Sequence, residues 1–319
     1  MNNRLSLNKT QLQIIAIVAM VIDHIAWAFL DFWTPAAQAL HVIGRLTIPI
    51  MCFFIAEGYR KTHNLRRYTD RLVTFALISI LPFYMFFHEE YGFRQNIMFD
   101  HLLSLLMLMV LEHKRLNKWL KVLLVILIFA VSMTIAGWPI TPQLFTLAFY
   151  YGKTFKDKVK WFVIADLSTV IFIAAFAVLN GIYHFAPYDW TWYNRFYLLG
   201  FLLALPIIKL YNGQKGGTRY GRFFFYIFYP IHLLVLAFIK YLASGNVSKH
   251  DIYLGFHVIC LAIIFIMLAG IRHLRDASSR HTVDSEQSDC SSLKIKKGLR
   301  PFLFIPVNLP FKCNTSRQK

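Results

Sequence analysis

Apolar runs follow one another along this chain, with only short polar breaks, from Gln11 to Gly270. A run of about twenty apolar residues is long enough to cross the ~30 Å hydrocarbon core of a bilayer as a helix. The mean hydropathy of +0.49 and the charged fraction of 16% fit a membrane protein, since about a quarter of a soluble domain is charged. Because lipid offers the backbone no hydrogen-bond partners, we predict an all-α fold, a polytopic transmembrane helix bundle.

Ten apolar segments are candidates for crossing helices. Two of them, 97–111 and 140–151, are short and would need tilting or local thinning of the bilayer. The clear segments are 11–30, 41–60, 69–87, 119–136, 161–180, 193–210, 222–242 and 251–271. We therefore predict a membrane domain of about ten helices over residues 1–271. Residues 272–319 are Ser-rich and charged, which predicts a disordered cytoplasmic tail.

The basic residues between these segments predict which side of the membrane each loop faces. Seventeen Lys and Arg residues fall in four loops, and the alternating loops contain only Arg94, Arg195 and Lys249. By the positive-inside rule the basic loops are cytoplasmic, which places both termini in the cytoplasm. The formal net charge of +18 comes from Lys and Arg residues that fall in short clusters and form no continuous basic face, so we do not expect nucleic-acid binding.

Five ionisable residues fall at one predicted depth in the outer third of the membrane: Asp23, His24, Arg45, Asp100 and His101. A charge in the hydrocarbon core costs at least about 2.5 kcal/mol, so such residues are functional candidates. In a purely structural interpretation, Asp23 and Arg45 form a buried ion pair and His24 is a hydrogen-bonding packing residue. Packing alone rarely justifies the desolvation of so many groups, and a His beside a carboxylate can act as a general base. We therefore favour a functional site.

Two further residues are weaker candidates. Glu57 lies near the predicted cytoplasmic end of the second segment, where the alternative is that its side chain reaches out to water. His232 follows Pro230 near the middle of the membrane, where the alternative is that it satisfies a backbone carbonyl freed by the proline. The spacing of the cysteines does not fit a zinc site, and we expect no metal.

Several stretches of the sequence resemble the TraX family. They are Asp23-His24 on the first helix, Gly44-Arg45 and Ala56-Glu57-Gly58 on the second, Asn96 to Phe99, and Phe228 to His232. The resemblance covers about residues 10 to 245. It implies an acetyltransferase of the bacterial inner membrane, because the founding members acetylate the amino terminus of conjugative pilin.

The resemblance also implies roles for individual residues. In the wider class of transmembrane acyltransferases that modify surface sugars, a basic residue stands eleven positions before a catalytic His, and His24 fits the place of that His. Gln13 stands at the basic position, so the cation for the phosphates of acetyl-CoA is expected to be nearby Lys9 or Arg and Lys residues of the cytoplasmic loops. We expect His24 to deprotonate the acceptor, Asp23 to orient His24, and Arg45 to stabilise the oxyanion. The expected substrate-binding residues are Glu57, Asp100, His101 and His232.

The predicted function is the transfer of an acyl group from cytoplasmic acyl-CoA to a pilin subunit or a surface glycan at the outer side of the membrane. The alternative is a proton-coupled or anion transporter that uses the same charge cluster. Transporter sites typically lie near the midplane between repeated halves, whereas this cluster is off-centre and the sequence contains no evident repeat. A purely structural membrane protein is a third interpretation, and it leaves the charge cluster unexplained.

Overall fold

A computed structural model describes residues 6–91, 94–182, 192–216 and 221–244 of the chain. Over these residues the fold is helical and contains no β-strand beyond two isolated bridges. The helices are α1 (Lys9–Phe29), α2 (Pro35–Gly44), α3 (Thr47–Lys61), α4 (Leu65–Ile78), α5 (Ile80–Tyr91), α6 (Ile97–Glu112), α7 (Lys118–Ile135), α8 (Thr141–Tyr151), α9 (Phe155–Ile182), a 3-10 helix (Trp192–Phe201), α10 (Ala204–Lys209) and α11 (Gly221–Ser244). The predicted all-α class is confirmed.

Several helical stretches are apolar enough to cross a membrane, which confirms that this is a membrane protein. Five of them in the described part of the chain are long enough as well: Lys9–Phe29, Pro35–Lys61, Leu65–Phe87, Lys118–Ile135 and Phe224–Ala243. The predicted segment 251–271 and the predicted tail 272–319 lie outside the described residues. The count of ten crossing helices, the cytoplasmic termini and the domain boundary at residue 271 stay predictions.

Prolines divide the second and third predicted segments into two helices each. Proline has no backbone N–H, and its ring clashes with the carbonyl group four residues earlier. Pro49 stands four residues after Arg45, where the helix breaks between α2 and α3. Pro82 stands in the same relation to Ile78, the last residue of α4. The break at Arg45 falls inside the predicted polar cluster.

Asparagine side chains set the start of four helices. Asn8, Asn64, Asn96 and Asn117 each accept a hydrogen bond from a backbone N–H group two or three residues further on. The first N–H groups of a helix have no partner inside the helix, so such a cap fixes where the helix begins. The caps at Asn8 and Asn96 therefore set the positions of the polar residues that α1 and α6 carry.

Helix α1 lies at the centre of the part of the bundle that contains the polar residues. It packs against α2, α3 and α11, while α2 also packs against the 3-10 helix. Adjacent residues of an α-helix point about 100° apart, so they contact different neighbours. Asp23 consequently contacts α2, whereas His24 contacts α11.

Candidate active site

His24 on α1 and His232 on α11 form a buried hydrogen-bonded pair. The Nδ1 atom of His24 lies 2.7 Å from the Nε2 atom of His232, and the two rings stack with their centroids 4.9 Å apart. The Nδ1 atom of His232 lies 3.0 Å from the carbonyl oxygen of Phe228. The pair therefore forms a chain of hydrogen bonds that ends on a backbone carbonyl.

The Phe228 carbonyl determines the protonation of both rings in their neutral forms. A carbonyl oxygen only accepts, so Nδ1 of His232 carries a proton and donates it, which leaves Nε2 of His232 as an acceptor. His24 must then donate from its own Nδ1, as the hydrogen-bond network assigns it. Nε2 of His24 keeps its lone pair, and it makes no hydrogen bond to any residue that the structure describes. An imidazole held in this tautomer can act as a general base.

Asp23, His41 and Arg45 form a second buried group beside this pair. Oδ1 of Asp23 accepts a hydrogen bond from Nδ1 of His41 at 2.9 Å and lies 3.4 Å from Nη2 of Arg45. The Arg45 guanidinium also stacks on the rings of Trp138 and Tyr197, 4.6 Å and 5.0 Å from their centroids. The Asp23–Arg45 ion pair of the structural interpretation is thus present. Buried charges are tolerated when they are paired in this way.

The structure gives His24 a different hydrogen-bond partner from the one expected. We expected Asp23 to orient His24, but Asp23 bonds to His41 and Arg45 while His232 holds His24. The reason is the 100° rotation between neighbouring residues on α1. Sequence reasoning missed His41 as a site residue. Its signal was available, because His41 stands one helical turn before Arg45 and so lies on the same face of α2.

Two glycines make room for the Asp23–Arg45 pair. A Cβ atom on Gly44 would overlap the side chain of Asp23, and one on Gly200 would lie 2.8 Å from the Cβ atom of Arg45. Real Cβ contacts essentially never come this close, so larger residues would separate α2 from α1 and from the 3-10 helix. Gly44 thus lets α2 approach α1 closely.

Two adjoining cavities meet at Arg45. The inner cavity, of about 70 Å³, is lined by residues that include Asp23, His24 and Tyr229. The outer chamber, of about 360 Å³, is lined by Phe32, Arg94, Met133, Pro139, Thr141, Thr169, Phe172, Ile173 and Tyr197. Both cavities are also lined by Trp27, Arg45, Gly137 and Trp138, which form the wall between them. His24 therefore lines the inner cavity, which adjoins the larger outer chamber, and Arg45 lines both.

The loop that contributes Gly137 and Trp138 to this wall is held in an unusual conformation. The backbone N–H of Trp138 donates to Oδ2 of Asp100 at 3.4 Å. A Cβ atom on Gly137 would lie 2.9 Å from the Gln95 carbonyl oxygen. Ile140 has a φ of 66°, a left-handed conformation that is strained for a β-branched residue. The packing around the loop, with Asp100 as an anchor, therefore sets the shape of the wall.

The structure does not bring every candidate residue to the site. Asp100 acts only through the Trp138 loop, and its buried neighbour His101 lines neither cavity. Glu57 lies at the other end of α3, where it pairs with Lys61 at 2.7 Å. Twelve residues of helix, about 18 Å, separate Glu57 from Arg45. His101 and Glu57 therefore lie outside both cavities.

The end of the bundle near Glu57 carries a group of cations stacked on aromatic rings, which we call the basic collar: Lys9, Arg60, Lys61 and Lys158. Lys9 lies over the Phe54 ring at 5.4 Å, and Lys158 lies over the Phe53 ring at 5.6 Å. Arg60 stacks on the Tyr150 ring at 4.8 Å and also donates to the Tyr150 carbonyl. Burial, and then the charge of Arg60, lower the pKa of Lys158. Gln13 is half-buried one turn beyond Lys9 on α1.

Comparisons with known proteins show which proteins this chain is similar to. The family model described as TraX protein matches residues 8–240. A Dichelobacter nodosus protein described as "Probable fimbrial assembly protein FimC, serogroup H1" is 33% identical over 260 residues, which cover 75% of this chain and 98% of that protein. No solved structure matches the chain. The matched residues include both cavities and the basic collar.

Proposed function

The chain belongs to the TraX family, and from that premise we propose that it is an acyltransferase of the bacterial inner membrane. It transfers an acyl group, such as acetyl, from cytoplasmic acyl-CoA to an amine or hydroxyl presented at the outer side. A pilin or fimbrial subunit is the favoured acceptor, because the Dichelobacter nodosus relative is described as a fimbrial assembly protein. A surface glycan is the other acceptor class.

One observation carries the proposal: the His24–His232 pair, which leaves Nε2 of His24 as a base at a cavity that Arg45 also lines. A general base and a cation next to one small cavity are what acyl transfer requires. Packing would be satisfied by apolar side chains at these positions, at no cost of desolvation. The arrangement therefore supports catalysis better than a structural role.

The reaction follows from the roles of these two side chains. Nε2 of His24 takes the proton of the acceptor while the acceptor nitrogen or oxygen forms a bond to the thioester carbonyl carbon. The carbonyl oxygen takes up the electron pair and becomes negative, and the Arg45 guanidinium stabilises it. Nε of Arg45 is buried without a hydrogen-bond partner, so it is available as a donor. When the carbon–sulfur bond breaks, His24 returns the proton to the leaving sulfur, and the products are the acylated acceptor and free CoA.

The basic collar suits the donor. It lies at the end of the bundle that the positive-inside rule assigns to the cytoplasm, and Lys9, Arg60 and Lys158 offer cations to the phosphates of CoA. Their stacking on Phe54, Tyr150 and Phe53 adds apolar surface for a base. Fifteen residues of α1, about 22 Å, separate Lys9 from His24. The long pantetheine arm of CoA would have to bridge this distance within the bundle.

The proposal is tested with inverted inner-membrane vesicles, in which the cytoplasmic face is outermost. Labelled acetyl-CoA is added outside, and the label is followed into polypeptide and glycan inside. We expect labelled acceptor inside vesicles that contain the chain and none inside vesicles that contain the His24→Ala variant. Equal labelling with and without the chain would contradict the proposal. The labelled fraction identifies the acceptor class.

A proton-coupled or anion transporter is the competing function, since the same buried His and Asp groups can pass a proton. Transport predicts that a pH gradient drives solute uptake into these vesicles without any acetyl-CoA. Acyl transfer predicts instead that CoA raises the melting temperature of the purified protein, because a ligand that binds the folded state stabilises it. At a CoA concentration of about 100 times its Kd, the stabilisation is ~2.7 kcal/mol.

A further inference from the structure

We infer that the outer chamber is the acceptor site, and that Arg94 selects an apolar acceptor with an anionic group close to the amine or hydroxyl that is acylated. The inference rests on the proposed function and adds the chemical class of the acceptor. Three features of the molecule support it: the sizes of the two cavities, the charges around the chamber, and the hydrogen bonds that the polar groups of its walls already make.

The two cavities differ in size, so they suit ligands of different size. About 10–15 Å³ of open space holds one water molecule, so the inner cavity of about 70 Å³ has room for a few water molecules or a small acyl group. The outer chamber of about 360 Å³ falls within the ~300–1,000 Å³ of typical ligand pockets. Because the cavities share Arg45 and Trp138, an acceptor in the chamber would present its nucleophile at the wall beside His24.

The position of the chamber fits an acceptor that arrives from outside. Its wall is formed by Phe32, Arg94 and Pro139, which lie in or next to the loops that contain few basic residues. The positive-inside rule assigns these loops to the outer face. The donor end, marked by the basic collar, lies at the other end of the bundle. Donor and acceptor can therefore approach the reaction site from opposite sides.

The charges around the chamber are positive. Arg45 and Arg94 both line it, and no carboxylate is among its described lining residues. Arg45 is paired with Asp23. Among the residues that the structure describes, Arg94 forms no salt bridge. Asp100 and Arg94 interact electrostatically but form no salt bridge with each other, and Asp100 lines neither cavity. An unpaired guanidinium at the edge of an apolar chamber is suited to a carboxylate or phosphate.

The polar groups of the chamber walls favour an apolar acceptor over a sugar. Thr141 donates its hydroxyl proton to the Pro139 carbonyl, and Thr169 donates its own to the Ala165 carbonyl. These hydroxyls are therefore not free to donate to a ligand, whereas a sugar would need several hydrogen-bond partners. Phe32, Met133, Phe172 and Ile173 supply apolar surface instead. The walls consequently suit the apolar end of a peptide better than a glycan.

The test uses two amine probes that differ only in charge, phenylalanyl-aspartate amide and phenylalanyl-asparagine amide. Their binding to the purified protein is measured calorimetrically at low salt. We expect the wild type to bind the acidic dipeptide about tenfold more tightly, equivalent to ~1.4 kcal/mol, since the contact with Arg94 is charge-assisted but partly exposed. Arg94→Gln should bind both dipeptides equally. The control Arg115→Gln, which makes the same change at an exposed site outside the chamber, should keep the preference.

A second variant tests the chamber itself. Met133→Trp adds volume to its wall and should remove binding of both dipeptides. Binding unaffected by Met133→Trp, a charge preference that survives Arg94→Gln, or tighter binding of glucosamine than of either dipeptide would overturn the inference. Because these are binding measurements, they are separable from catalysis. Loss of the preference in Arg94→Gln, together with equal acetyl labelling of vesicles with and without the chain, would retain the chamber and reject the proposed function.

Discussion

The outer polar cluster (Asp23, His24, Arg45 and His232) and the basic collar both contain ionisable residues, but they differ in exposure to water. In the cluster, Asp23, Arg45, His24 and His232 are each less than a tenth exposed, and each is paired with another residue. In the collar, Lys61 pairs with the adjoining Glu57, and their side chains are 56% and 19% exposed. Water and salt therefore screen the collar but not the cluster.

The difference indicates what each region can do. A charge taken out of water keeps its strength and orientation, which is useful for stabilising a transition state. A charge left at the surface binds anions weakly and exchanges them readily, which is useful for loading a soluble donor. We therefore expect the cluster to control stability and rate, and the collar to control only the affinity for the donor.

The largest expected effect comes from breaking the buried ion pair. Asp23→Ala leaves Arg45 buried without a counter-ion, which typically costs ~3–5 kcal/mol of the free energy of unfolding. The matched change beside the collar, Glu57→Ala, removes the partner of Lys61, whose side chain is 56% exposed, and should cost less than ~1 kcal/mol. Reversible unfolding in mixed micelles measures both. Similar losses for the two variants would remove the distinction between the regions.

A smaller effect is expected from His232, which we assign as a positioning residue for His24. His232→Ala should lower kcat about a hundredfold, equivalent to ~2.7 kcal/mol, with little change in KM for acetyl-CoA, because His24 loses the acceptor that fixes its tautomer. His232→Gln should recover most of the rate, since its Oε1 atom can accept the same hydrogen bond. A merely structural role would predict no such rescue in initial-rate measurements.

The smallest effect is expected in the collar. Arg60→Gln and Lys158→Gln should each raise KM for acetyl-CoA by at most about fivefold and leave kcat unchanged, because exposed charges contribute less than ~1 kcal/mol. The effect should shrink as salt is raised toward ~1 M, where the Debye length is ~3 Å. Lys118→Gln, at a basic position outside the collar, serves as the control. A change in kcat would connect the collar to the chemical step.

The helices could be predicted from the sequence because each apolar segment is long and ends in polar residues. The breaks in two segments could also have been predicted, since Pro49 and Pro82 each stand four residues after the break. The candidates Asp23, His24 and Arg45 were found because a charge in an apolar run is costly wherever the helix packs. These signals are local, so one sequence is enough to detect them.

The pairing within the site could not be predicted. His24 and His232 are 208 positions apart, and only the packing of α11 on α1 brings them together. Asp23 was assigned to His24 because they are neighbours in sequence, although neighbours on a helix face different helices. His101 was included because of its predicted depth in the membrane, and the structure places it outside both cavities. The position of a residue along its helix could be predicted, whereas the neighbouring helix that its side chain contacts could not.

The most direct measurement compares two buried histidines from the same predicted level, His24 and His101, in one acetyl-transfer assay on the purified protein in lipid nanodiscs. General-base catalysis contributes about 10²–10⁴, so we predict that His24→Ala loses at least a hundredfold in kcat/KM. His101→Ala should stay within about threefold of wild type, and the melting temperature checks that both variants are folded. Full activity of folded His24→Ala, or equal losses in the two variants, would contradict the account.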